Sequence, residues 1–270
     1  MYTIATLHHL RQRLGLGDGD TAEDIRLLAA LEAASAQIEA AANRRFQPRR
    51  ATIRHSVNPR YPTELLLDDD LLELVALTNG DGSSLDLSAV LALPEGTPDG
   101  IISLLQLTDG AAFVWGDTPV SAISVAGVWG WHERWSQAWY ASGDTVQNAP
   151  FSSGSATLTV NDAGGTDARG EAPRFQVGHL LRIEDEYLHV LAVNTNSNSL
   201  TVLRGVNGTT ATAHEQGTVV EIYQPPLDVE ILCLRWAQWL YKEPDNRAFS
   251  AAPSSLTGAL AGLRREEVKS

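Results

Sequence analysis

The stretch that most constrains the fold is an alanine-rich segment from Thr21 to about Arg45. Its apolar positions recur at steps of three or four residues, which is the period of one buried helical face. These positions are Ile25, Leu28, Leu31, Ser35, Ile38 and Ala42. Alanine fills much of the remainder, favours a helix and lets neighbouring backbones approach closely. The segment therefore predicts a long packing helix, with Glu32 and Glu39 on its other faces.

Both ends of this helix carry recognisable signals. Asp20 or Thr21 can cap the start, because their side-chain oxygens accept hydrogen bonds from free backbone N–H groups. Arg44 and Arg45 suit the negative end of the helix dipole. A shorter helix from Thr6 to Leu14, stopped by Gly15, is predicted before it.

A second strong helix is predicted from Leu227 to Lys242, directly after Pro225 and Pro226. Its apolar face is Val229, Leu232, Trp236, Trp239 and Leu240. We expect it to form a helical core with the helix that begins at Thr21.

Short β-like runs fill the chain between these helices. They begin near Ala51 and are broken by a hairpin signal from Asn79 to Gly82. A polar linker near 141–150 precedes a unit whose strands alternate with Gly, Asn and Ser turns. The predicted fold is α+β: a helical core with a β-rich middle, plus an inserted small antiparallel β-barrel or sandwich. The expected division is 1–145 with 224–270 as the core, and 150–223 as the inserted β module.

Composition restricts the function. With 20 basic and 33 acidic residues, the chain has a formal net charge of −13, which argues against gripping nucleic acid through a basic surface. Cys233 is the only cysteine, so no internal disulfide is possible, and a buried thiol is expected. No segment is long enough and apolar enough to span a bilayer, which indicates a soluble protein without a membrane partner.

The sequence gives only weak indications of a catalytic or metal site. The seven histidines are scattered without metal-ligand spacing, so neither a metal nor a cofactor is expected. The Asp68–Asp70 triplet reads as a solvated turn. Glu184, Asp185 and Glu186 are expected at an exposed turn or bulge, although a catalytic acid pair is conceivable there. We expect a protein that is not an enzyme.

Four tryptophans cluster between Trp129 and Trp139. Trp131, Trp135 and Trp139 fall at helical spacing, so a helix there would place them in one stripe. Such a stripe predicts a core or a subunit interface. A sugar-stacking platform is the alternative.

Three stretches in this order resemble the head-to-tail connector, or adaptor, proteins of long-tailed bacteriophages and gene-transfer particles. They are TLHHLRQRLGL, DTAEDIRLLAALEAASAQIEAAANRRF and PPLDVEILCLRWAQWLYKEP. ELLLDDDLLELVALTNGDG and AISVAGVWGWH are also similar to phage neck-protein segments. The stretch IEDEYLHVLAVNTNSNSLTVLRGVNGTTATAH is similar to a β module of phage structural proteins, which ends in an RG-x-NGT…AH hairpin.

The resemblance implies a ring of identical subunits, commonly twelvefold, beneath the portal of the phage head. Its partners would be the portal protein, a tail-side neck protein (stopper or tail terminator) and other copies of itself. DNA would pass through an acidic channel without sequence-specific binding. The location implied is the virion neck, assembled in the host cytoplasm. Another neck component such as a stopper, or a carbohydrate-binding surface protein, remains the alternative.

Two sets of residues are candidates for these contacts. In the tail from Asn246 to Ser270, the portal-docking candidates are Leu256, Leu260, Leu263, Arg264 and Arg265. The candidates for a subunit interface or core are Ala34, Ile38, Trp131, Trp135, Trp139, Trp236 and Trp239.

Overall fold

The computed structural model describes residues 2–17, 19–94, 101–242 and 252–265. Within these ranges the fold is α+β, with four α-helices and two antiparallel sheets. The helices are α1 (Leu7–Leu14), α2 (Asp24–Ala42), α3 (Leu227–Lys242) and α4 (Ser254–Ala261). Contacts divide the chain into two compact units, 1–43 with 138–270 and 44–137.

Helices α1 and α3 lie where the sequence predicts them. The Thr6 hydroxyl caps α1 by accepting from the His9 N–H at 3.2 Å, and Gly15 ends it in the left-handed region at φ 71°. Helix α3 has the predicted bounds.

The predicted ends of α2 were wrong. The helix begins at Asp24 without a side-chain cap, and Asn43 ends it in the left-handed region at φ 51°. Arg44 and Arg45 therefore lie beyond the helix.

The buried face of α2 was partly wrong as well. Ile25 is 84% exposed, whereas Leu27, Ala30 and Ala34 are buried. A second set of positions has the same helical spacing, because three or four residues also separate Leu27, Leu31, Ala34 and Ile38. With this set buried, Glu39 faces inward and accepts a hydrogen bond from the Tyr2 hydroxyl.

Helices α2 and α3 contact each other although nearly two hundred residues separate them in sequence. The Trp236 indole N–H donates to the Gln37 Oε1 at 2.7 Å. The Ser35 hydroxyl lies 3.4 Å from the thiol of Cys233, which is buried as predicted.

Residues 44–137 contain a five-stranded antiparallel sheet in the order β1-β5-β2-β4-β3. Its strands are β1 (Arg49–His55), β2 (Glu64–Thr78), β3 (Val90–Leu93), β4 (Ile102–Leu107) and β5 (Ile123–Trp129). The solvated turn predicted at Asp68–Asp70 was wrong, because β2 runs through this triplet and Asp70 is buried. The pairing of β2 with β4 shifts between Leu66 and Leu71. Side chains alternate across the sheet, so that the aligned Leu65, Leu105 and Ala92 face the core.

The other unit contains a six-stranded antiparallel sheet in the order β6-β11-β8-β9-β10-β7. Its strands are β6 (Trp139–Thr145), β7 (Thr157–Thr159), β8 (Leu180–Ile183), β9 (Glu186–Asn194), β10 (Ser199–Leu203) and β11 (Val219–Tyr223). The Gln147 N–H donates to the Thr159 carbonyl at 2.8 Å, which links the chain after β6 to β7.

The compact units differ from the domain division expected from the sequence. The predicted core included residues up to 145, but β6 pairs with β11 and so belongs to the second sheet. The β-rich middle, expected within the core, forms a unit with its own apolar cluster.

Candidate functional site

The carboxylate of Glu186, the first residue of β9, is a densely hydrogen-bonded polar group. Arg204 donates to both of its oxygens at 2.6 Å, and the backbone N–H groups of Gly205 and Thr212 donate at 2.9 and 3.1 Å. His214 Nε2 lies 2.8 Å from its Oε2. Burial opposes ionisation, but the hydrogen bonds from Arg204 and His214 lower the pKa of Glu186. It is therefore a buried, ionised carboxylate whose oxygens are fully occupied.

The exposure predicted for Glu186 was wrong. A two-residue turn, Glu184 and Asp185, joins β8 to β9, with Glu184 at φ 53°. This turn leaves the Glu184 side chain 60% exposed and returns Glu186 to the core face, because successive side chains of a strand alternate.

The residues around Glu186 hold loops together. The Arg204 guanidinium lies over the Phe151 ring at 3.9 Å and donates to the carbonyls of Ser152 and Ser155. Gly205 has φ 61°, and an added Cβ there would lie 3.0 Å from the Ala211 nitrogen. The RG-x-NGT…AH segment thus contributes a charged clasp, which we name the Glu186 clasp, formed by Glu186, Arg204 and His214. Its geometry suits fixing loops and leaves no oxygen open for acid–base chemistry.

A second charged cluster surrounds His9 of α1. His9 Nδ1 lies 2.7 Å from Glu230 Oε1 of α3, and Nε2 contacts the carboxylate of Glu171. Burial opposes protonation, but hydrogen bonds to Glu171 and Glu230 raise the pKa of His9 to about 10. The hydrogen bond from His9 lowers the pKa of Glu171 to about 2. A protonated imidazole therefore ties α1 to α3 and to the loop that carries Glu171.

The His9 cluster predicts a loss of stability at alkaline pH. The folded pKa of about 10 lies above the reference value of 6.5, so the stabilisation is complete below pH 6.5 and disappears as the pH rises towards 10. Replacing His9 with glutamine should cost about 2 kcal/mol near pH 7. Urea unfolding of both proteins at pH 6, 8 and 10 should show this difference shrinking. His8→Gln is the control, and a His9 difference that stays constant with pH would contradict the assignment.

The predicted tryptophan stripe was wrong. No helix longer than one short 3-10 turn, Trp135–Gln137, lies between β5 and β6. Trp131 packs edge-on against Phe46 and under the Arg44 guanidinium in one unit. Trp139 begins β6 in the other unit and stacks on Tyr187. The spacing was helical, but the strand that ends at Trp129 and the strand that begins at Trp139 leave room only for a short connection.

The candidate residues of α2 and α3 mostly lie in the interior of the folded chain. Ala34, Ile38 and Trp236 are fully buried, and Trp239 is half-buried with its ring edge against Trp236. Beside them an open groove of about 340 Å³ is lined by Arg26, Ala29, Ala30, Ala33, Gln37, Leu240 and Tyr241.

Part of the predicted tail forms α4, which packs against α2 and α3. Leu256 and Leu260 are buried within the chain, where α4 contacts α2 and α3. Leu263 is half-buried, Arg264 is exposed, and the Arg265 N–H donates to the Ala42 carbonyl at 2.9 Å. Residues 246–251 and 266–270 of the predicted tail lie outside the described residues.

In the described ranges, no helix is both long and apolar enough to cross a bilayer. The same ranges contain no group of three or more His, Cys, Asp or Glu side chains that could hold a metal ion. Comparisons of the chain with protein-family models, curated proteins and solved structures find no match.

Proposed function

We propose that this chain is a structural virion protein whose copies form a ring that joins the portal of a phage head to the tail and continues the DNA channel. The observation that carries the proposal is the contact of α2 with α3 across nearly two hundred residues, with α1 and α4 on the same pair. This is the helical order of the three stretches that resemble connector proteins.

The proposal includes a more specific architecture. The four helices form the core of the subunit, and the six-stranded sheet closes into a small barrel through the contact between Gln147 and Thr159. The barrel belongs to the same compact unit as the helices and is tied to α1 by the contact of His9 with Glu171 and by the hydrogen bond from the Leu7 N–H to the Val177 carbonyl at 3.1 Å. In this scheme the charged groups of the barrel, above all the Glu186 clasp, hold loops in place.

A closed ring of copies needs two different surfaces on each subunit. The groove on α2 and α3 offers one such surface, because Ala29 and Ala33 leave room for a neighbouring chain and Arg26 with Tyr241 supplies polar and aromatic contacts at its rim. The partners proposed beyond the ring are the portal protein and a tail-side neck protein.

The tail provides the experiment for portal binding. Deleting residues 253–270 removes α4 and should weaken capture of the portal protein of the same particle at least tenfold in a pull-down. Because the deletion also uncovers the surface under Leu256 and Leu260, Arg264→Glu is the second variant. Arg264 is exposed, so its replacement leaves the packing of α4 intact.

Arg13→Glu, in α1, is the matched control, because it makes the same charge change at another exposed arginine. We expect Arg264→Glu to weaken portal binding and Arg13→Glu to leave it unchanged. Full binding by the deletion variant would contradict the docking role of the tail. Binding to a tail-side partner alone would favour a stopper.

A further inference from the structure

Positive charge is concentrated in one short part of this acidic chain. Between residues 44 and 63 there is no Asp or Glu, although the whole chain carries a formal charge of −13. The same stretch contains Arg44, Arg45, Arg49, Arg50, Arg54 and Arg60. The net charge therefore conceals a local basic surface.

Strand β1 carries the centre of this surface. It pairs with β5 along one edge, and no described strand pairs with its other edge. Ala51 and Ile53 pack on the apolar core, so alternation places Arg50, Thr52 and Arg54 together on the opposite face. The Cα atoms of Arg50 and Arg54 are about 13 Å apart at the usual rise of a strand.

The six arginines differ in their exposure. Arg44 and Arg49 face carboxylates of β2, at 3.4 Å from Asp70 and 3.5 Å from Asp69. Arg54, Arg45 and Arg60 are exposed, and Arg50 is half-exposed. We call Arg45, Arg50, Arg54 and Arg60 the basic edge. In sequence it covers β1 and includes one arginine before the strand and one after it.

The chemistry of the basic edge fits a phosphate backbone. A guanidinium presents a planar fork of donors that matches phosphate oxygens, and a row of such groups neutralises a regularly charged polymer. Two guanidiniums on one face of β1 at this separation, with further exposed arginines before and after the strand in sequence, suit a long polyanion better than a short acidic segment. Tyr61, next to Arg60, is 58% exposed and adds an aromatic surface of the kind found beside nucleic-acid backbones.

We propose that the basic edge binds the phosphate backbone of duplex DNA without sequence specificity. The choice of duplex DNA as the polyanion rests on the proposed function, in which DNA passes through the ring. The basic edge is then the part of the subunit that faces the DNA, and the channel is not uniformly acidic.

The test uses the full chain and a fluorescent 30-base-pair duplex of mixed sequence, followed by anisotropy at several salt concentrations. The double variant Arg50→Gln with Arg54→Gln should bind at least tenfold more weakly than the unchanged protein. The slope of its binding affinity against salt concentration should correspond to about two fewer phosphate contacts. The matched control, Arg13→Gln with Arg235→Gln, makes the same charge change on α1 and α3, at one exposed and one half-exposed arginine, and should bind normally.

Three results would overturn the proposal: no binding of the duplex at 50 mM salt, equal loss in the test and control variants, or equally tight binding of polyglutamate. The last would identify an acidic protein as the partner. If the double variant proves unstable in urea, Arg54→Gln alone replaces it, because Arg54 is exposed. The mass of any ring is measured separately, so failure of DNA binding is distinguishable from failure of the ring.

Discussion

Replacing Glu186 with alanine is expected to lower the free energy of unfolding by about 3–5 kcal/mol, because it leaves buried charged groups without their partner. Arg204 and His214 are 8% and 0% exposed in their side chains, so water cannot replace the lost carboxylate. The N–H groups of Gly205 and Thr212 lose the same acceptor. Urea unfolding followed by circular dichroism measures the change.

Glu221→Ala is the matched control. It removes the carboxylate of another bidentate pair, with Arg182 at 2.6 and 3.0 Å, but both side chains are more than a quarter exposed. Since solvent can solvate the remaining guanidinium, the cost should stay below about 1 kcal/mol. Equal costs for the two variants would contradict the structural role given to the Glu186 clasp.

Replacing Trp236 with alanine is expected to cost about 3–5 kcal/mol, the usual range for a fully buried aromatic residue. Trp236 lies between α2 and α3, and its indole N–H is bonded to Gln37 at 2.7 Å. The substitution therefore leaves a cavity at the contact that joins the two helices. Thermal and urea unfolding should both detect it.

Trp239→Ala provides the comparison, because Trp239 is half-buried on the same helix and touches the ring of Trp236. This substitution should lower the free energy of unfolding by about 1–2 kcal/mol, because Trp239 buries less apolar surface than Trp236. If Trp239→Ala were the more damaging variant, the helical layer would not be organised around the contact between Trp236 and Gln37.

Because Ala34 is fully buried, a bulky replacement at this position cannot test a contact between copies. A tryptophan at Ala34 would disrupt packing inside the subunit before it could reveal a contact between copies. Ala33, which lines the open groove, is the position where added bulk tests an interface.

The helices were largely predictable from local signals. Pro225 and Pro226 before α3, and Thr6 and Gly15 around α1, act within one or two turns, and both helices lie where these residues place them. The buried face of α2 was not predictable, because an alanine-rich helix offers two registers of the same period. Packing against α3 decides between them.

The charged clusters could not be assembled from the sequence. Glu186 meets Arg204, 18 positions away, because the β9–β10 hairpin returns the chain, and it meets His214, 28 positions away, where an isolated bridge to Phe151 holds the later loop. The RG-x-NGT…AH pattern was a usable signal, because it contains Arg204 and His214 of the Glu186 clasp. No local pattern indicated that Glu186 is their partner. His9 and Glu230 are 221 residues apart, so no spacing could connect them.

For the basic edge, the net charge of the whole chain concealed a local concentration of arginines. A net charge of −13 argued against a basic surface, yet six arginines lie between residues 44 and 60. Arg49, Arg50 and Arg54 lie on β1, and the position of β1 at the edge of the sheet becomes evident only from its pairing with β5.

The central claim, a ring on a portal, is tested most directly by the mass of the particle that forms when the full chain is mixed with the portal protein of the same particle. Light scattering after gel filtration should show the portal enlarged by about twelve subunits of 29.1 kDa, and electron micrographs should show a ring on its axis. A chain that stays at 29.1 kDa and elutes apart from the portal would contradict the claim.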